Sequence, residues 1–218
     1  MKLVLIIAAA LVSAAAAQSP HSHRHSFGDA EKWSHVFDDP ERDAWQKPHA
    51  VLEALALKPD AAVADLGAGT GYFSARLANM FPKATVYAVD VEPQMVKYLG
   101  ERAKREGLAN LRPVQATSGD ARLPEKVDLV LLVDVYHHIE ARERYFRQLG
   151  ASLRPGARIA VIDFRLDSPE GPPVAARVAP EQVTAELARA GYALVTEHRF
   201  LPRQYFLVFG VANPAPRR

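Results

Sequence analysis

The feature that most constrains the fold is a glycine-rich turn between a strand and a helix. Residues 61–66 form an apolar run that breaks into Gly67-Ala68-Gly69-Thr70-Gly71 and resumes at helical spacing with Phe73, Leu77 and Phe81. Pro82 stops that helix, a second apolar strand follows at 85–89, and Asp90 stands directly after it. Strand, glycine turn, helix, strand and acid in that order is a nucleoside-binding layout. The glycines let the backbone turn sharply and approach a ligand, and the acid accepts hydrogen bonds from ribose hydroxyls.

The rest of the chain continues the alternation. Glu92-Pro93 opens a helix with Met95, Leu99 and Ala103 on one face, and Gly107 ends it. Residues 111–116 are a third strand, which Pro113 confines to a sheet edge because it cannot donate to a ladder. Residues 127–133 are almost wholly apolar, as in a strand buried on both faces. A helix over 140–153 carries Tyr145, Phe146, Leu149 and Leu153 inward and is ended by Pro155-Gly156 before a fifth strand at 158–164. A helix over 180–190 is closed by Gly191, and strands at 192–200 and 204–210 are joined so tightly that they must be antiparallel. The expected fold is α/β: a doubly wound, Rossmann-like, seven-stranded sheet with five parallel strands plus a C-terminal antiparallel hairpin.

Upstream, one positive charge at Lys2, an apolar run over 3–12 and small residues ending at Ala17 read as a secretory signal peptide, 1–17. Export to a bacterial periplasm follows if it functions, and a cytoplasmic location if it does not. No stable membrane association is expected after cleavage. Residues 18–28, with His21, His23 and His25, read as a disordered tether and not as a metal site. Residues 29–58 read as an N-terminal helical cap and 59–212 as the main domain. Trp33, Phe37 and Trp45 are read as packing residues of the cap; the alternative is that residues 42–48 fold over the cofactor or acceptor as a lid. Cysteine is absent, which excludes disulfides, thiolate metal sites and a cysteine nucleophile. With 27 basic against 25 acidic side chains there is no excess to attract nucleic acid.

A nicotinamide or flavin cofactor needs G-x-G-x-x-G, so that backbone amides meet a pyrophosphate. Counting from Gly67 the sixth place is Tyr72, and from Gly69 it is Ser74. The turn is instead preceded by a carboxylate, Asp65, which would repel a pyrophosphate and suits a ligand carrying an ammonium and a sulfonium. With Val63-Ala64-Asp65-Leu66-Gly67-Ala68-Gly69-Thr70-Gly71, Val89-Asp90, Gly119-Asp120-Ala121 and Leu153-Arg154-Pro155-Gly156-Ala157, the chain resembles the class I S-adenosylmethionine-dependent methyltransferases of the broad type 11 group. The last segment departs from the group's usual L-x-P-G-G by one residue.

The resemblance implies an S-adenosylmethionine site. Asp65 would reach the methionine amine, and the turn of Gly67, Ala68, Gly69 and Gly71 would press on the cofactor. Asp90 would hold the ribose, with Val91 on the adenine face. Asp120 would accept from the adenine amino group with Ala121 beside it, and Asp134 would lie near the methionine. Chemistry is expected beyond the carboxyl ends of the strands. There His137 or His138 would take the acceptor's proton and Asp163 would orient a histidine. Adjacent on the chain, the two histidines are expected to point different ways. The reading is methyl transfer to a small-molecule nucleophile; an exported cofactor-binding protein without transfer activity and a nicotinamide-dependent oxidoreductase are the alternatives.

Overall fold

A computed structural model describes residues 29–212, so the signal-peptide and tether readings lie outside the described residues. Three N-terminal helices, α1 (Ala30–Phe37), α2 (Arg42–Gln46) and α3 (Pro48–Ala54), precede the first strand. Alternation then gives β1 (Ala62–Leu66), α4 (Tyr72–Met80), β2 (Thr85–Asp90), α5 (Pro93–Arg105), β3 (Leu111–Gln115) and β4 (Val127–Val133). After α6 (Arg142–Leu149) come β5 (Leu153–Phe164), α7 (Pro180–Ala190), β6 (Tyr192–His198) and β7 (Gln204–Val211).

The strands form one sheet in the order β3-β2-β1-β4-β5-β7-β6. β1 to β5 pair in parallel, and β7 runs antiparallel between β5 and β6. The expected seven-stranded α/β fold is what forms, and β3, with Pro113, is an edge strand. β4 shows why its sequence lacks alternation. Leu129, Leu131, Val130 and Leu132 are all fully buried, the first pair facing α3 to α5 and the second facing α6 and α7.

Two boundaries differ from the sequence reading. The helix expected over 140–153 is only α6, with a 3-10 turn at Tyr136–His138 before it and another at Gly150–Ser152 after it. The fifth strand begins at Leu153, not 158. Leu153 pairs with Val127 and Arg158 with Leu129, so the residues between them bulge out. Gly156, at φ 78°, takes the left-handed turn inside that bulge. Pro155-Gly156 therefore marks an irregularity within a strand and not a helix end.

Candidate active site

Topology brings the ends of β1, β2, β4 and β5 to one edge, and the glycine turn begins there. Gly67 and Ala68 both donate to Val89 O, at 2.8 and 3.0 Å, tying the turn to the end of β2. Gly67 is left-handed at φ 70° and solvent-exposed; a Cβ there would lie 2.4 Å from Val135 Cγ2. No other residue fits without displacing Val135, and the main chain stays open to a ligand. Gly71, at φ 93°, starts α4 and would strike Leu99 if it carried a side chain.

Asp90 is buried against this turn. Its Oδ2 accepts Gly69 N–H at 2.8 Å and its Oδ1 accepts Glu92 N–H at 2.9 Å, leaving a second lone pair on each oxygen. Burial pushes its carboxyl above the usual range, against those amides. Next to it Val91 is half exposed, an apolar side chain held at the surface. Past β3, Asp120 is exposed with Oδ1 accepting Arg122 N–H at 2.8 Å, and Ala121 is buried.

Asp65 sits below the turn, buried, with Oδ2 accepting the Ser74 hydroxyl at 2.5 Å. Burial pushes its carboxyl up to about 7, with Ser74 opposing. The same bond holds the first turn of α4 on β1, so Asp65 also has a structural role. Thr70, fully buried within the turn, has an Oγ1 with no partner among the described residues.

These residues fit a nucleoside carrying a cationic amino-acid tail. A bare main chain at Gly67, a strand-end carboxylate with spare lone pairs, an exposed apolar residue beside it and an orphaned hydroxyl in the turn stand together. The carboxyl of Asp65 ahead of the turn suits a ligand with a cationic group and not a diphosphate.

A second group gathers at the ends of β4 and β5. His137 Nδ1 lies 2.9 Å from Asp163 Oδ2, and both side chains are buried. Asp163 also accepts His137 N–H at 3.2 Å and Phe164 N–H at 2.8 Å, so its carboxylate fixes both ring and main chain. The His137 and His138 rings lie 4.1 Å apart on a 3-10 turn, with the His137 side chain buried against Asp163 and His138 exposed.

Asp134 has φ 59°, in the left-handed region that a non-glycine residue rarely adopts. Its Oδ2 accepts Gln46 Nε2 at 2.9 Å and its Oδ1 accepts Gln204 Nε2 at 2.5 Å. Gln46 is fully buried, and its Oε1 accepts Arg42 Nε at 2.9 Å. Burial first, then the charge of Asp163, pushes Asp134 up to about 7, with Arg42 opposing.

The cap thus bonds directly to the sheet edge. Asp43 accepts from Tyr72 O–H and pairs with Arg76 at 2.9 Å, while the Trp45 ring packs, tilted by 37°, against Phe164 at 5.7 Å. Phe37 would be 3.3 Å from a Cβ at Gly69, so the end of α1 stands over the glycine turn. Trp45 and Phe37 do pack, as read from sequence. The polar anchors Arg42, Gln46 and Gln204 were not singled out as a network, because nothing along the chain links them.

Comparison with known proteins agrees with this geometry. Residues 63–156 match the family model of the methyltransferase domain. A SAM-dependent methyltransferase from Aquifex aeolicus superposes with a TM-score of 0.78 at 26% identity, over 84% of this chain and 99% of that one. The fold and residues 63–156 are thus similar to those of S-adenosylmethionine-dependent methyltransferases, and S-adenosylmethionine fits the site. The chain is also 37% identical over 110 residues to malonyl-[acyl-carrier protein] O-methyltransferase of Methylococcus capsulatus, a match covering 49% of this chain and 38% of that protein. It is 36% identical over 122 residues to trans-aconitate 2-methyltransferase of Deinococcus radiodurans, covering 55% and 45%. The chain spans less than half the length of either curated relative.

Proposed function

We propose that this chain transfers a methyl group from S-adenosylmethionine to a small-molecule nucleophile, with His137 as the general base. The observation that carries the reading is the His137–Asp163 contact at 2.9 Å, at the same sheet edge as the glycine turn. Asp163 fixes the ring through Nδ1, which reserves Nε2 for the acceptor's proton. When bound, S-adenosylmethionine supplies an electrophilic methyl on a cationic sulfur, and its reactivity leaves the protein to align and deprotonate the acceptor. In this reading Asp90 holds the ribose, Val91 covers the adenine, and Asp120 with Ala121 frames its far edge. Asp65 and Asp134 serve the cationic tail, and residues 29–58 close the site as a cap. No observation favours a nicotinamide-dependent oxidoreductase or a cofactor-binding protein without transfer.

His137→Gln is the test, with labelled methyl donor and panels of hydroxyl, amine, thiol and carboxylate acceptors. Turnover is expected to fall by roughly 10²- to 10⁴-fold, the range for loss of a general base, with affinity for the demethylated cofactor unchanged. Unaltered turnover would remove His137 from the chemistry.

A further inference from the structure

Tyr205 lies near the start of β7, directly opposite Asp163 in the antiparallel register. It shares the sheet face of Tyr136, Leu207 and Phe209 and is 4% exposed, yet its hydroxyl has no hydrogen-bond partner among the described residues. The carboxylates around it are already engaged by other donors. Asp163 Oδ1 accepts Phe164 N–H and its Oδ2 accepts His137 N–H, while the single His137 Nδ1 lies 3.0 Å from Oδ1 and 2.9 Å from Oδ2. Glu186 Oε2 takes Tyr136 O–H and Arg142 Nε, and its Oε1 takes Arg142 and Gln182. Both oxygens of Asp134 are held by glutamines.

A buried hydroxyl without a partner is destabilising, and phenylalanine would fill the same space without that penalty. The neighbouring positions 206 and 209 are indeed phenylalanine. Burial, with Asp163 next, drives the Tyr205 phenol well above the usual tyrosine range, so the group stays protonated as a donor. It stands beside the carboxylate that orients His137. Nearby cations are engaged, Arg142 by Glu186 and Arg42 by Gln46. A carboxylate placed beside Asp163 would be repelled by its charge.

We propose that the Tyr205 hydroxyl orients the methyl acceptor by a hydrogen bond, and that the acceptor is an uncharged hydroxyl or amine and not a carboxylate. The inference rests on the methyltransferase reading above. It separates this chain from a relative named for trans-aconitate, a carboxylate.

The test compares the wild-type protein, Tyr205→Phe and, as a control, Tyr192→Phe, whose hydroxyl donates to Phe146 O at 2.8 Å. Without acceptor, Tyr205→Phe is expected to melt at or above the wild type, whereas Tyr192→Phe melts lower. With labelled methyl donor and catechol, aniline, benzoate and trans-aconitate as probes, transfer is expected to catechol or aniline. KM for that probe should rise at least about tenfold in Tyr205→Phe, with kcat nearly unchanged and affinity for the demethylated cofactor equal. A lower melting point, an unmoved KM, or transfer confined to the carboxylates would overturn the proposal. So would binding of the demethylated cofactor with no transfer to either neutral probe. Failure of the wild type to bind that cofactor would instead overturn the methyltransferase reading beneath it.

Discussion

Asp65 and Asp134 each keep a proton to about neutrality, and in both the leading cause is burial. The consequence differs from a permanently charged site. A cationic ligand favours the ionised form, so binding lowers these pKa values and expels protons. Affinity for S-adenosylmethionine is therefore expected to rise as pH increases through about 7. Calorimetry in buffers of different ionisation enthalpy should show proton release near neutrality, and Asp65→Asn should reduce it. Proton uptake on binding would contradict this. The motif residues were legible because their spacing is local: Asp65, the glycines and Asp90 follow from one strand-turn-helix unit and the next strand. Tyr205 carries no such local signal, because an orphaned hydroxyl is a property of its surroundings and not of its neighbours in sequence.

The element that sequence explained least is α2. Its aromatic residues pointed to packing, but its polar residues do the anchoring, through partners 88 and 158 positions away. No periodicity carries such a contact. A buried glutamine among charged residues was the one available signal, and in sequence it looks like any surface position. Gln46→Ala would remove the Asp134 bond, the bond to Gln204 Oε1 and the acceptor of Arg42. A stability loss of about 2 kcal/mol is expected in urea unfolding, since the groups left behind are buried and unpaired. A loss under about 0.5 kcal/mol, the scale of an ordinary surface substitution, would show that α2 is only resting on the edge. The α6 boundary failed for another reason. The helix expected over 140–153 loses its C-terminal end because Leu153 is held in register with Val127 on β4, a tertiary contact that local apolar spacing does not carry.

Across the whole molecule the succession of elements along the chain, the edge position of β3 and the terminal hairpin were legible, because proline, glycine and apolar runs punctuate the chain. The same molecule carries opposed pH terms. Glu186, held by Arg142, Gln182 and Tyr136, sits at about 2, so its contribution is present above the ordinary carboxylate range and is lost as pH falls towards 2. Asp65 and Asp134 are shifted the other way; their contribution is full below about 4 and is lost as pH rises through about 7. The unliganded protein is expected to lose thermal stability from pH 5 to pH 8, and S-adenosylmethionine to restore it; a steady gain over that range would contradict the burial of these carboxylates. The central claim is that strand-end carboxylates around a glycine turn hold a cationic nucleoside. Titration calorimetry of wild type and Asp90→Ala with S-adenosylmethionine and NAD tests it most directly. The expected result is binding of the sulfonium compound, weakened roughly 10- to 100-fold in the variant by loss of a charge-assisted hydrogen bond, and no binding of NAD. Binding of NAD alone, or equal affinity in the two proteins, would contradict it.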